Sequence, residues 1–326
     1  MSRNLTVLAA LSVLVLCGCT DDGASVRELD SSTGTASGSG SGSTSGSGSV
    51  SGSGSLAEED LTASTDDQQV LEGVDEYAGY VDDQVEQLRA DTRVLTDAVR
   101  AGDLRAARTA YAPSRVSWER IEPVAGLVAA IDTAVDARVD DFAGVRDPDF
   151  TGWHRLEYLL FEQQTTQGAA PFADRLDTDL ATLQTELATL EIPPTAVAIG
   201  AAELIEEVSE GKITGEEDRY SKTDLWDFGG NVEGAQAVIG VLTPALQQAD
   251  PGLLADIEAG FSDLNSSLDP LRAGEGWVLY CRQDDEFPSP RCPGVTVERA
   301  TVDRLKAQLA GLSEDLALVA GALGLQ

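Results

Sequence analysis

Histidine, aromatic residues and positive charge are all scarce in this chain. Its 326 residues include a single histidine, His154, and only 5% are Phe, Trp or Tyr. Lys and Arg number 22 against 56 Asp and Glu, which gives a formal net charge of −34. Such a chain repels phosphate backbones, and this argues against nucleic acid as a partner.

The sequence motifs of several large enzyme classes are also missing. The chain contains no Gly-x-Ser-x-Gly elbow, no Walker phosphate-binding loop and no His-Glu-x-x-His motif of zinc peptidases. A Ser-His-Asp triad would have to use His154, and no serine is marked out as its nucleophile. The residues alone therefore give no support for a common hydrolase or nucleotide-binding mechanism.

A short apolar run near the start predicts export. Leu5 to Leu16 follows Arg3 and is too short to span a bilayer, as in a signal peptide. Leu16-Cys17-Gly18-Cys19 is similar to a lipobox, so residues 1–19 are predicted to be a lipoprotein signal peptide and Cys19 to be lipidated. An ordinary cleaved signal peptide is the alternative. Thr20 rather than Asp follows Cys19, which by resemblance to lipoprotein sorting favours a periplasmic protein anchored in the outer membrane.

Residues 20–65 are predicted to be a disordered tether, because residues 31–55 are nearly all Ser, Gly and Thr. Two further cysteines, Cys281 and Cys292, flank a polar, proline-containing loop. In an oxidising compartment we expect them to form a local disulfide, because two cysteines alone make a poor metal site.

Apolar residues recur at three- and four-residue spacing through most of residues 66–326. One stripe consists of Val70, Val74, Tyr77, Val81, Val85, Leu88, Leu95 and Val99, and another of Leu176, Leu180, Leu183, Leu187 and Leu190. This spacing is typical of helices, and no segment shows the sustained alternation of a strand. Asp103 and Thr223 are placed to cap two helices. We predict an all-α fold, an antiparallel helical bundle that consists of two packed four-helix bundles.

Two pairs of polar residues could carry chemistry. Glu119 and Glu122 share a helix face, as do His154 and Glu157. A solvated acidic face and a structural helix pair are the alternatives. If the two pairs bind one metal ion together, their imidazole and carboxylate groups suit iron, manganese or zinc better than copper(I).

Other acidic residues suggest simpler roles. The run Glu216-Glu217-Asp218 lies in a glycine-flanked loop and is typical of a surface. Asp224 and Asp227 lie near a helix start, where the helix dipole favours acids.

Longer motifs resemble the imelysin (M75) family, in particular its iron-uptake members. They are residues 111–125 (YAPSRVSWERIEPVA), 135–138 (VDAR), 151–157 (TGWHRLE), 211–220 (GKITGEEDRY) and 223–234 (TDLWDFGGNVEG). The resemblance implies a helical periplasmic protein of an Efe-type iron-uptake system, whose partners are an iron permease and a haem peroxidase. It also implies that His154, Glu157, Glu119, Glu122 and Asp136 bind the metal.

The chain departs from that family pattern in several ways, and two of these departures lie within the predicted helical domain. Lys222 stands where a histidine is expected, and the loop between Cys281 and Cys292 is similar to an insertion. From the resemblance and from this set of carboxylates with one histidine, we expect a binding protein for iron and not an enzyme. Zinc and manganese are other candidate metals. The alternatives are a metallopeptidase with Glu119 or Glu122 as general base, and an adhesive or scaffold lipoprotein without metal.

Overall fold

Helices supply most of the regular structure in the computed structural model, which describes residues 65–325. The predicted signal peptide, the lipidated Cys19 and the tether up to residue 64 lie outside the described residues. The α-helices are α1 (Gln68–Arg100), α2 (Leu104–Ile121), α3 (Ala129–Asp136), α4 (Gly152–Glu157), α5 (Ala170–Leu187), α6 (Pro194–Glu210), α7 (Asp224–Ala249), α8 (Pro251–Leu268), α9 (Arg299–Ala317) and α10 (Val319–Ala322). Two strands of two residues each, β1 (Arg272–Ala273) and β2 (Gly276–Trp277), pair in antiparallel fashion. The prediction of an all-α fold is confirmed.

The helix boundaries follow local chemistry. The Asp67 carboxylate accepts hydrogen bonds from the first backbone N–H groups of α1, and Asp103 accepts one from Ala106 N at 2.9 Å to cap α2, as predicted. Thr223 does precede α7, but its hydroxyl donates to Asp218 instead of accepting from the helix. The capping role predicted for Thr223 is therefore wrong.

The core lies between packed helices. Helix α1 packs against α2, α5 and α7, α2 packs against α7, and α6 packs against α7 and α9. The predicted stripe of α1 is buried against these neighbours, and Tyr77, Tyr111, Trp118 and Trp153 are completely buried. The division into two four-helix bundles stays a prediction.

Two helices change pitch at their C-terminal ends. Helix α2 runs directly into a 3₁₀-helix (Glu122–Val128), where Pro123 cannot donate the α-helical hydrogen bond. Helix α4 runs into a single π-helical turn (Tyr158–Glu162). Such π-turns are rare and are frequently found at functional sites.

A disulfide closes the loop between β2 and α9. Cys281 and Cys292 are bonded, with their Cα atoms 5.6 Å apart. The loop packs onto the segment before α7, because Tyr280 N donates to Lys222 O at 2.9 Å and the Lys222 ammonium donates to Asp285 at 3.0 Å. Lys222, which stands where a histidine was expected, is completely buried.

Between residues 65 and 325, none of the helices combines the length and apolar character needed to cross a bilayer.

Candidate metal centre

Two close backbone approaches bring the motif residues together. Gly152 has φ +72°, and a Cβ atom on it would lie 2.0 Å from Val135 O, so only glycine allows α4 to start against the end of α3. A Cβ atom on Gly230 would lie 2.6 Å from Glu119 Cβ, so glycine also allows α7 to pack closely on α2. His154 therefore lies beside Asp136, and the polar face of α7 reaches Glu119.

His154 contacts carboxylates with both ring nitrogens. Nδ1 lies 3.2 Å from Glu157 Oε2, which is one helical turn away on the same face. Nε2 lies 3.6 Å from Asp136 Oδ1 and 3.6 Å from Glu217 Oε1. The imidazole is 2% exposed, so these contacts are shielded from water.

Backbone donors hold the Glu157 carboxylate. Its Oε1 accepts from Tyr220 N at 2.8 Å and from Ser221 N at 2.7 Å. Asp218 is held next to it, since Tyr111 Oη donates to Asp218 Oδ1 at 2.9 Å. The loop before α7 therefore fixes one side of the site.

The Arg115 guanidinium lies in the middle of the cluster and is completely buried. It bonds Glu119 at 2.6 Å, Glu217 at 3.1 Å and Asp227 at 3.3 Å, and it also donates to Asp136. Its Nη1 lies 3.3 Å from His154 Nε2. Four carboxyl groups and one imidazole therefore contact this single cation.

Lys212 provides the second buried cation. Its Nζ lies 3.0 Å from Glu119 Oε2 and 2.7 Å from Glu122 Oε1. Asn231 Nδ2 donates to the same two carboxylates, at 2.9 and 2.6 Å. Glu119 and Glu122 therefore share an ammonium and an amide as partners inside the protein, and the solvated-face alternative is wrong for this pair.

Burial and charge together set the protonation of the cluster. Burial disfavours a charged His154, but the hydrogen bonds to Glu157 and Glu217 and the charge of Asp136 outweigh this and raise its pKa to about 9. Burial works against a charged Glu217 as well, yet Lys212 and Arg138 hold the pKa of Glu217 well below its usual value.

Three other buried carboxyl groups behave in the opposite way. For Glu122 and Asp227, burial raises the pKa well above its usual value in spite of the neighbouring cations. Burial and the neighbouring Asp218 raise the pKa of Asp224 to about 8. The cluster therefore contains both charged carboxylates and neutral carboxylic acids near pH 7.

All five residues that the resemblance assigned to a metal site lie in this one buried network. Glu157 and Asp136 contact His154 through different ring nitrogens, whereas Glu119 and Glu122 contact Lys212. The five are therefore not arranged around one point.

Several members of the cluster differ from the roles predicted for them from the sequence. Glu217 and Asp218 are 3% and 0% exposed, so the surface role predicted for the run 216–218 is wrong for these two residues. Asp224 and Asp227 lie in the first turn of α7 as predicted, but both are completely buried and Asp227 bonds Arg115.

The buried cations were missed altogether. Arg115 and Lys212 both lie inside the motifs that carry the family resemblance. Their position in these motifs is a sequence signal that could have identified them as members of the site.

Two carboxylate-histidine trios have the spacing of metal ligands. They are Asp136, His154 and Glu217, and His154, Glu157 and Asp218; in each, the ligand atoms lie within 4.8 Å of one another. One imidazole nitrogen with carboxylate oxygens is a donor set for iron, manganese or zinc. The residues therefore fit a divalent or trivalent cation at His154.

Sequence comparisons with known proteins identify the family. The imelysin family model, peptidase M75, matches residues 73–316. The chain is 45% identical over 270 residues to the protein named iron uptake system component EfeO of Yersinia pseudotuberculosis, which covers 82% of this chain and 68% of that protein. It is also 45% identical over 250 residues to the Escherichia coli protein of the same name, and this alignment covers 76% of this chain and 63% of that protein. The match thus spans about two thirds of the length of these relatives, and the chain belongs to the imelysin family.

Proposed function

We propose that this protein is the metal-binding component of an iron-uptake system and that it binds iron as cargo at His154. The observation that carries the proposal is the pair of buried carboxylate-histidine trios that share this imidazole. A buried charge cluster is costly to maintain for stability alone, and replacing such clusters by apolar residues is often neutral or stabilising. The names of the relatives, iron uptake system component EfeO, support iron as the cation.

The proposed ligands are His154 and Glu157, with Asp136 and Glu217 on one side of the ring and Asp218 on the other. Glu119 and Glu122 belong to the proposed site as the acids that hold Lys212 in place. Hard carboxylate oxygens favour iron over copper, and manganese or zinc would fit the same donors.

The proposed location is the periplasm. In this proposal Cys19 carries the lipid anchor in the outer membrane, residues 20–65 form the tether, and the helical domain of residues 66–326 binds the metal. The partners would be an iron permease that receives the ion and a haem peroxidase of the same system. The lipobox and the Ser/Gly composition support the anchor and the tether.

Metal content after dialysis tests the proposal. The full-length chain is loaded with a mixture of iron, manganese, zinc and copper, dialysed and measured by elemental mass spectrometry, beside His154→Ala. We expect the wild type to retain one or two iron ions per chain and His154→Ala to retain none, because both trios lose their nitrogen ligand.

Two conservative variants separate the trios. Glu217→Gln removes a ligand from the trio that contains Asp136, and Asp218→Asn removes a ligand from the trio that contains Glu157. The variant that weakens iron affinity by about a hundredfold identifies the occupied trio. Glu86→Gln, on the exposed face of α1, is the matched control and should retain iron fully. Unchanged iron retention in His154→Ala would overturn the site assignment.

A metallopeptidase is the second candidate function, and the family description, peptidase M75, favours it. A catalytic metal needs an open coordination position that the substrate can reach. His154 is 2% exposed and Glu157 is completely buried, so a peptide would have to enter a filled core. Cleavage of a peptide library by the zinc-loaded protein, lost in His154→Ala, would decide for the peptidase. If the protein is instead a scaffold lipoprotein without metal, the wild type should retain no ion after dialysis.

A further inference from the structure

A groove at the start of α2 carries three arginines. Arg105, Arg108 and Arg291 line a cavity of about 420 Å³ together with Leu104 and Thr109. Arg291 belongs to the disulfide loop, and the other residues belong to the first turns of α2. Three guanidinium groups in one groove stand out in a chain with a net charge of −34.

These guanidinium groups have no acidic partner among residues 65–325, since no carboxylate oxygen there lies within 4.0 Å of Arg105, Arg108 or Arg291. Several other arginines of the described chain do have acidic partners, such as Arg100 with Asp174 and Arg138 with Glu217. The groove therefore has positive charge that the protein itself leaves unpaired.

Two of the three arginines are held in place by the fold. Arg108 Nε donates to Leu160 O at 2.8 Å, and Arg291 donates to Ser221 O. Both guanidinium groups lie over the Phe161 ring, with their central carbons 5.6 and 4.5 Å from its centroid. Burial and the charge of Arg108 lower the pKa of Arg291. Two like charges fixed at one ring repel each other, and a bound anion would relieve this repulsion.

The groove adjoins the candidate metal centre. Ser221 accepts from Arg291 through its carbonyl oxygen and donates from its N–H to Glu157 at 2.7 Å. Glu157 and Asp218 are also the carboxylates whose charge acts on Arg291. A ligand in the groove would therefore be separated from the trio of His154, Glu157 and Asp218 by one stretch of backbone.

We propose that the groove of Arg105, Arg108 and Arg291 binds a small oxyanion with two or more negative charges. The planar guanidinium fork matches the paired oxygens of carboxylate and phosphate groups, and the cavity volume is that of a small-molecule site. Both polycarboxylates and inorganic phosphate offer this chemistry. A polycarboxylate in the groove would also be able to chelate the iron bound at His154, and this part of the inference rests on the proposed function.

Isothermal titration calorimetry of the metal-free, full-length chain tests the groove, with citrate and inorganic phosphate as separate probes at low ionic strength. We expect one anion per chain, and a loss of affinity of about tenfold or more in Arg108→Gln and in Arg291→Gln. Arg105→Gln should weaken binding too, and this exposed residue can be replaced with little risk to folding. Arg304→Gln, an exposed arginine on α9, is the control and should bind like the wild type.

Tighter binding of citrate than of phosphate would assign the groove to polycarboxylates, and the reverse order to phosphate. Absence of binding for both anions, or equal affinities in the wild type and all three groove variants, would overturn the proposal. Titration of His154→Ala separates the two proposals, because this variant should keep the anion and lose the iron. A wild type that binds the anion but retains no iron would overturn the proposed function alone.

Discussion

Arg115 sets the charge balance of the cluster. It contacts four carboxylates, those of Glu119, Asp136, Glu217 and Asp227, from a completely buried position. A lysine could not replace it, since an ammonium group lacks the planar fork that reaches several carboxylates at once. A metal ion held by Asp136 and Glu217 would take over the role of counter-charge, so Arg115 would have to move away when that trio is loaded.

The protonation of His154 gives a residue-scale prediction. With a pKa raised to about 9, the imidazole is charged in the metal-free protein at pH 7. The stabilisation from this raised pKa is fully present below about pH 6.5 and is lost as pH rises through about 9, which corresponds to roughly 3 kcal/mol of unfolding free energy. Because the chain has one histidine, the ring-proton NMR shifts of a protein without a histidine tag report this residue directly.

We expect a titration midpoint near pH 9 in the folded, metal-free protein and near pH 6.5 in the same protein unfolded in urea. A folded-state midpoint at or below the unfolded one would show that burial, and not the carboxylates, controls the imidazole. Added zinc should shift the histidine signals at pH 7 and release protons, because a charged imidazole must lose a proton before its nitrogen can bind a metal.

At the scale of elements, the disulfide loop supports the segment that holds Glu157. The loop contributes the contacts of Tyr280 and Asp285 with Lys222, next to Ser221. The sequence separation of the two cysteines is 11 residues, for which the loop-entropy model gives a stabilisation of about 3 kcal/mol.

We predict that the double variant Cys281→Ser, Cys292→Ser loses about this much unfolding free energy in urea titrations followed by circular dichroism. The wild type in a reducing agent should behave in the same way, whereas the double variant should not respond to the agent. An unfolding midpoint equal to that of the oxidised wild type would contradict the supporting role of the loop.

For the whole molecule, the net charge of −34 is the main electrostatic property. Among residues 65–325, Arg115, Lys212 and Arg138 pair with buried carboxylates. Most of the other acidic side chains in this range are exposed and repel one another. Salt screens such exposed charges far more than buried pairs.

We therefore expect the melting temperature of the metal-free protein to rise by several degrees between about 20 mM and about 0.5 M sodium chloride. Differential scanning calorimetry at pH 7 measures this. A melting temperature that stays constant or falls would mean that surface ion pairs, which salt weakens, outweigh the general repulsion.

The helices could be predicted from the sequence alone, because apolar spacing and capping residues act over a few neighbouring positions. The stripe of α1 and the cap at Asp103 are examples of such local signals. Motif resemblance also predicted five members of the buried cluster, but it did not predict Glu217, Asp218 or the arrangement of the side chains.

The choice of which polar residues are buried together depends on tertiary packing. Arg115 meets Glu217 across 102 positions of sequence, and Lys212 meets Glu122 across 90. The sequence pattern within either segment carries no information about such a partner, so an acidic run in a loop is indistinguishable from a solvated one. The burial of Glu217 and Asp218 therefore depends on the packing of the loop before α7 against α2 and α4. There Arg115 and Lys212 stabilise the Glu217 carboxylate, and the hydroxyl groups of Tyr111 and Thr223 donate to Asp218, in place of water.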